Sequence, residues 1–92
     1  MTAPLTGTFD EVEISSTIQF SSSNFTLSLE FAGSATVLLQ RSFDGTNWKT
    51  VKTYTSSVEE NGYEPGTGTH YRLNCTVHSG DVNYYLGTFS NA

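Results

Sequence analysis

Two runs of strand character, residues 35–42 and 48–55, are joined by Phe43-Asp44-Gly45-Thr46-Asn47, and this junction constrains the chain more than any other stretch. An Asp-Gly pair between alternating apolar runs is a strong local hairpin signal. Gly45 can take the positive φ of a tight reversal, and Asp44 can hydrogen-bond the backbone just ahead of it. Along the first arm Ala35, Val37 and Leu39 point one way and Thr36, Leu38 and Gln40 the other, with Arg41 leaving the apolar row near the turn. The second arm opens on Trp48, the only tryptophan, whose large ring is expected to anchor a core.

The same period of two recurs on either side of the hairpin. Val12, Ile14, Ser16, Ile18 and Phe20 share one parity and predict a single half-buried strand; Phe25, Leu27, Leu29 and Phe31 give the cleanest alternation in the chain. Residues 56–63 carry two adjacent acids and a glycine, which suits an edge strand or an irregular crossing. After the turn composition of residues 64–69, Tyr71, Leu73, Cys75 and Val77 predict another core strand, and residues 82–89 a last one. Nothing repeats apolar residues at helical spacing. About seven short strands with turn signals at roughly ten-residue spacing predict an all-β fold, a single antiparallel β-sandwich over residues 10–92.

Residues 1–9 combine small polar residues with Pro4, Leu5 and Phe9. They are expected to form a flexible N-terminal arm, either frayed or ordered on a partner through Pro4, Leu5 and Phe9. The 92 residues suffice for one domain. A formal charge of −5 with only four Lys and Arg argues against nucleic acid and anionic membrane as partners. No apolar run approaches the roughly 20 residues of a membrane helix. No signal-peptide pattern follows Met1, so synthesis in a cytoplasm is expected, and the Met1 start suggests a complete product. With one cysteine there is no internal disulfide.

Residues 64–75, Glu64-Pro65-Gly66-Thr67-Gly68-Thr69-His70-Tyr71-Arg72-Leu73-Asn74-Cys75, resemble the E to F corner and F strand of fibronectin type III and immunoglobulin-like sandwiches. The resemblance implies that the Tyr71 hydroxyl closes the corner on upstream backbone. Cys75 stands four residues after that tyrosine and has no partner, unlike the disulfide-bonded immunoglobulin domains. A narrower pattern spans residues 33–87: Thr36-Val37-Leu38-Leu39-Gln40-Arg41-Ser42-Phe43-Asp44-Gly45, Trp48, Glu59, Glu64-Pro65, Tyr71-Arg72-Leu73, Ser79-Gly80 and Val82-Asn83-Tyr84-Tyr85-Leu86. It resembles small β-sandwich virion proteins of tailed bacteriophages. That resemblance implies a non-enzymatic structural protein of the virion, a decoration protein on the outer head surface. It would bind the major capsid protein or another virion protein, as a homo-oligomer and without cofactor. The alternative is a tail or fibre module that binds host glycan through Tyr63, Tyr84 or Tyr85, or docks on another tail protein.

No residue set argues for catalysis. His70 and His78 flank one strand without metal-ligand spacing. Cys75 shares parity with Leu73 and Val77 and reads as a buried, inert thiol. Asp44, Gly45 and Asn47 lack the acid series of a calcium loop and read as turn residues. Glu59 and Glu60 face opposite ways on an extended chain, a poor acid–base pair. Three of the four cations, Arg41, Lys49 and Lys52, lie on the central hairpin, with acids gathered in residues 10–13 and 59–64. Cross-strand ion pairs or a head-to-tail contact between copies would both use this separation.

Overall fold

The structure, a computed structural model, describes residues 4–88. Nine strands follow one another: β1 (Leu5–Phe9), β2 (Glu13–Ile14), β3 (Ile18–Phe20), β4 (Ser23–Phe31), β5 (Ala35–Ser42), β6 (Lys49–Tyr54), β7 (Val58–Glu64), β8 (Thr69–His78) and β9 (Val82–Thr88). They form two antiparallel sheets, ordered β1-β9-β4-β7 and β2-β8-β5-β6, with β3 also paired to β8. The all-β sandwich is as expected, with nine strands where seven were counted. The last two strands, β8 and β9, belong to different sheets; in the immunoglobulin arrangement they share one.

The predicted hairpin is β5 and β6, Gly45 takes a φ of 79°, and β7 is an edge strand. The odd residues of β4 and β5 face inward with Leu73, Cys75 and Leu86, building a core of Phe25, Leu27, Leu29, Val37 and Leu39. At one end the rings of Phe20, Phe25 and Tyr71 meet with centroids 4.9 to 5.2 Å apart. Each such side chain removed from water contributes ~1.5–3 kcal/mol. Gly62 makes room for this cluster, because a Cβ there would lie 2.5 Å from Phe25 Cζ.

Two one-residue register shifts separate the observed core from the predicted one, and a third turns Val51 out of β6. Opposite β8, Ile14 pairs with Asn74 and Ile18 with Tyr71, four residues against three. The extra residue turns Ile14 outward and Ile18 inward, so the strand expected from Val12 to Phe20 is two short ones, with Val12 and Ile14 exposed. The Ser15 hydroxyl bridges the gap by accepting the Leu73 N–H at 2.9 Å, while the Ser15 N–H donates to the Leu73 carbonyl. Thr36 pairs with Val77 and Val37 with Cys75, so Thr76 is an extra residue and Val77 is exposed instead of core. Leu39 pairs with Lys52 and Gln40 with Thr50, which leaves Val51 bulged out of β6.

Two further expectations are corrected. Residues 5–9 of the expected arm form β1, paired residue by residue with β9, and Phe9 is fully buried against Tyr84. Apolar area decides this: Phe9 and Leu5 gain more from the core than from solvent. The arm residues before Pro4 lie outside the described residues, as does Phe89. Trp48 is not a core anchor. It is half-buried on the outer face, where the Arg72 guanidinium lies 4.2 Å from its ring centre and His70 meets it edge-on.

Candidate functional site

On one side of the sandwich β1 passes to β2 through a three-residue crossing, and on the other β7 meets β6 through Glu60, Lys52 and Tyr54. The two sides differ in how their charges are used.

On the β6/β7 side, parity brings Arg41 inward beside Tyr71, and Glu64 inward from the end of β7. Glu64 is fully buried. Arg41 Nε and Nη2 donate to its two oxygens at 2.7 and 2.9 Å, the Tyr71 hydroxyl donates at 2.8 Å, and the Gly66 N–H at 2.6 Å. The Arg41 bidentate bond, aided by Tyr71 and Gly66 and opposed by burial, holds the Glu64 carboxyl down at about 2. Burial, and then the bond to Glu64, pushes Tyr71 up to about 12. The corner tyrosine thus closes on a carboxylate rather than on the upstream backbone that the resemblance implied. Midway along the same side Tyr54 donates to Glu60, and Lys52 reaches the other Glu60 oxygen at 3.2 Å. The Tyr54 bond is the main cause of a lowered Glu60 carboxyl, while burial leads the rise of Tyr54.

The Asp44 carboxylate, with Gly45 behind it, closes its own loop. Its Oδ1 accepts the N–H groups of Thr46 and Asn47 and the Ser42 hydroxyl, and its Oδ2 accepts the Asn47 amide, all within 2.9 Å. These bonds hold its carboxyl well below the usual range. Beside this loop Arg41, Phe43, Asp44, Asn47, Lys49 and Val51 line a hollow of about 210 Å³. A second hollow of about 170 Å³ lies between β6 and β7 over Leu27, Leu39 and Tyr54. A polar hollow of about 320 Å³ runs over Ser28, Glu30, Ser57 and Glu59. In the polar hollow Ser57 Oγ accepts the Phe31 N–H at 2.9 Å.

On the opposite side the chain crosses from β1 to β2 through Asp10, Glu11 and Val12. Asp10, Glu11 and Glu13 can bring a carboxylate oxygen each within 4.8 Å of one another. None of the three enters an ion pair among the described residues.

The remaining candidates fall apart as sites. His70 lies with Gln19 near one end of β8, and His78 with Asp81 at the other, roughly 26 Å away along the strand. The Cys75 thiol is fully buried, and burial pushes its pKa up. Of the expected docking residues, Pro4 is exposed, Leu5 is half-buried against the core and Phe9 lies within it. Tyr84 packs against Phe9 at 4.6 Å between ring centres. Tyr63 and Tyr85 are exposed and share the outer face of the β1-β9-β4-β7 sheet.

The Arg41–Glu64–Tyr71 cluster was not foreseen. Its signal was available: Arg41 continues the inward parity of Val37 and Leu39, and an inward cation requires an inward carboxylate. Comparison with protein-family models, with curated proteins and with solved structures returns no significant match.

Proposed function

We propose that the protein is a non-enzymatic structural module of a tailed-bacteriophage virion, a decoration protein on the outside of the head that works as assembled copies. The observation that supports adhesion over catalysis is the use of charge. The acids that sit beside tyrosines and cations, Glu60 and Glu64, are bonded inside the fold, while exposed Val and Phe side chains sit among charges at the two sides of the sandwich. The phage setting rests on the resemblance over residues 33–87. Many weak contacts repeated over a shell give tight overall attachment by multivalency. The acidic charge suits a protein partner, the major capsid protein or another virion protein, rather than packaged DNA.

The test is co-sedimentation of the full chain with phage heads that lack it, followed by imaging of labelled protein. Saturable binding spread over the icosahedral surface is expected. Binding confined to the tail, or none, would overturn the head assignment. Deleting residues 1–8 would not test a docking arm, because it removes most of β1 and so the edge of a sheet.

One observation favours a second reading, a glycan-binding tail or fibre module. The Tyr85 ring runs along β9 until its hydroxyl lies 3.1 Å from where a Cβ on Gly87 would be, level with Thr26. Tyr63 stands opposite Asn24, and the Thr26 hydroxyl donates to Asn61 between the two rings. Two aromatic faces around small polar groups can stack on sugars. Binding on a glycan array that Tyr63→Ala or Tyr85→Ala abolishes would favour this reading; an empty array would remove it.

A further inference from the structure

We infer that copies of this chain associate side to side, with residues 10–14 of one copy seated on the Phe43, Lys49 and Val51 side of the next. The inference deepens the assembled-copies part of the proposed function by naming both surfaces. It is carried by where exposed apolar groups and unpaired charges fall.

Seven large hydrophobic residues are exposed among the described ones. Two are the outer-face tyrosines. The other five divide between opposite sides of the five-stranded sheet: Val12, Ile14 and Val77 at the β2 side, Phe43 and Val51 at the β6 side, each more than half exposed. Two of them, Val77 and Val51, are turned out by one-residue register shifts, and Ile14 faces outward beside a third. Phe43 is 73% exposed, and the Arg41 guanidinium 4.5 Å from its ring centre holds it at the rim of the 210 Å³ hollow.

Charge gives the pairing its direction. At the β6 side Glu64 is neutralised by Arg41 and Glu60 by Lys52, and the Asp44 oxygens are turned to their own loop. Lys49 then stands, among the described residues, without an acid within 4.0 Å, beside an apolar rim. Glu59, on β7, faces the outer surface of the other sheet. At the β2 side the excess is negative, from Asp10, Glu11 and Glu13. An aliphatic side chain such as Val12 fits the hollow, while the exposed Asp10 and Glu11 meet Lys49; Glu13, half-buried opposite Cys75, adds only to the negative field. Complementary fields of this kind set partner and orientation. The two patches lie roughly 15 Å apart across a four-strand width, so no copy can satisfy itself. A contact between unlike patches is heterologous, and it builds a closed ring or an open row.

The test is sedimentation velocity on purified full-length protein. Wild type is expected to associate beyond a dimer with rising concentration, less so at high salt. Val12→Asp breaks one side and Val51→Asp the other; both positions are exposed, so the core is untouched. Each variant alone is expected to be monomeric. Their 1:1 mixture is expected to form a heterodimer and nothing larger, because only one intact patch of each kind remains. Lys49→Glu gives an independent reading, with association weakened by about tenfold or more. A wild type that stays monomeric at millimolar concentration, or single variants that still dimerise, would overturn the inference. Head binding is scored separately: association without it overturns the decoration reading alone, and head binding by a strictly monomeric protein overturns this inference alone.

Discussion

The two sides of the sandwich lie between the same pair of sheets, yet the carboxylates of one are closed within the fold and those of the other stand open. Along β6 and β7 two carboxylates each meet a tyrosine and a cation, and at the Glu64 corner the carboxylate is fully buried while Arg41 stays 30% exposed. Along β1 and β2 three acids, Asp10 and Glu11 exposed and Glu13 half-buried, enter no ion pair among the described residues. The same residue types therefore do different work: bonded and buried they fix the fold, and exposed they are available to a partner. Only burial makes the difference large, because an exposed ion pair contributes well under 1 kcal/mol and a buried one is costly to break.

Mutation at the closed side should give the largest effects. Glu64→Ala removes the acceptor of Arg41, Tyr71 and the Gly66 N–H together, and is expected to destabilise by about 3 kcal/mol in urea unfolding. The same carboxylate sets an acid response. Its folded pKa, about 2, lies below its ordinary value of 4.5, so its contribution is fully present above 4.5 and is lost as pH falls from there through about 2. Urea midpoints measured across that window should fall for wild type and less steeply for Glu64→Ala, which keeps the contributions of Asp44 and Glu60. Tyr71→Phe keeps the ring and loses one bond to a charged acceptor, a cost of about 1.5–2 kcal/mol. Lys52→Ala, at a half-exposed pair, should change stability by less than ~1 kcal/mol. Glu11→Gln on the open side should fall within about 0.5 kcal/mol of wild type while weakening association. A large loss of stability from Glu11→Gln, or none from Glu64→Ala, would erase the contrast between the sides.

Much of this architecture is legible in strict alternation. The inward row of β4 and the burial of Cys75 follow from period two, the hairpin from Asp44-Gly45 between two alternating runs, and the edge character of β7 from its adjacent acids and glycine. What alternation misses is the single extra residue, because one bulge flips every side chain beyond it. Thr76 hides the exposure of Val77, the step between Ile14 and Ile18 hides that of Val12 and Ile14, and the bulge at Val51 hides that of Val51 itself. Val12 and Ile14 of the inferred contact are thus residues that a pattern reading assigns to the buried face. Trp48 fails for another reason: Arg72 and His70 offer its ring a partner on the outer face, so its area is covered without entering the core. The Glu64 corner is non-local, joining β5, β7 and β8, and only the inward parity of Arg41 hints at it.

Backbone hydrogen exchange of the purified chain, at low and at high protein concentration, tests most directly whether the open side and the Phe43–Lys49–Val51 side meet. The account predicts added protection at residues 10–14 and 43–51 together as concentration rises, with the Glu64 corner slow throughout. Protection appearing at the Tyr63 and Tyr85 face instead, or at neither side, would contradict it.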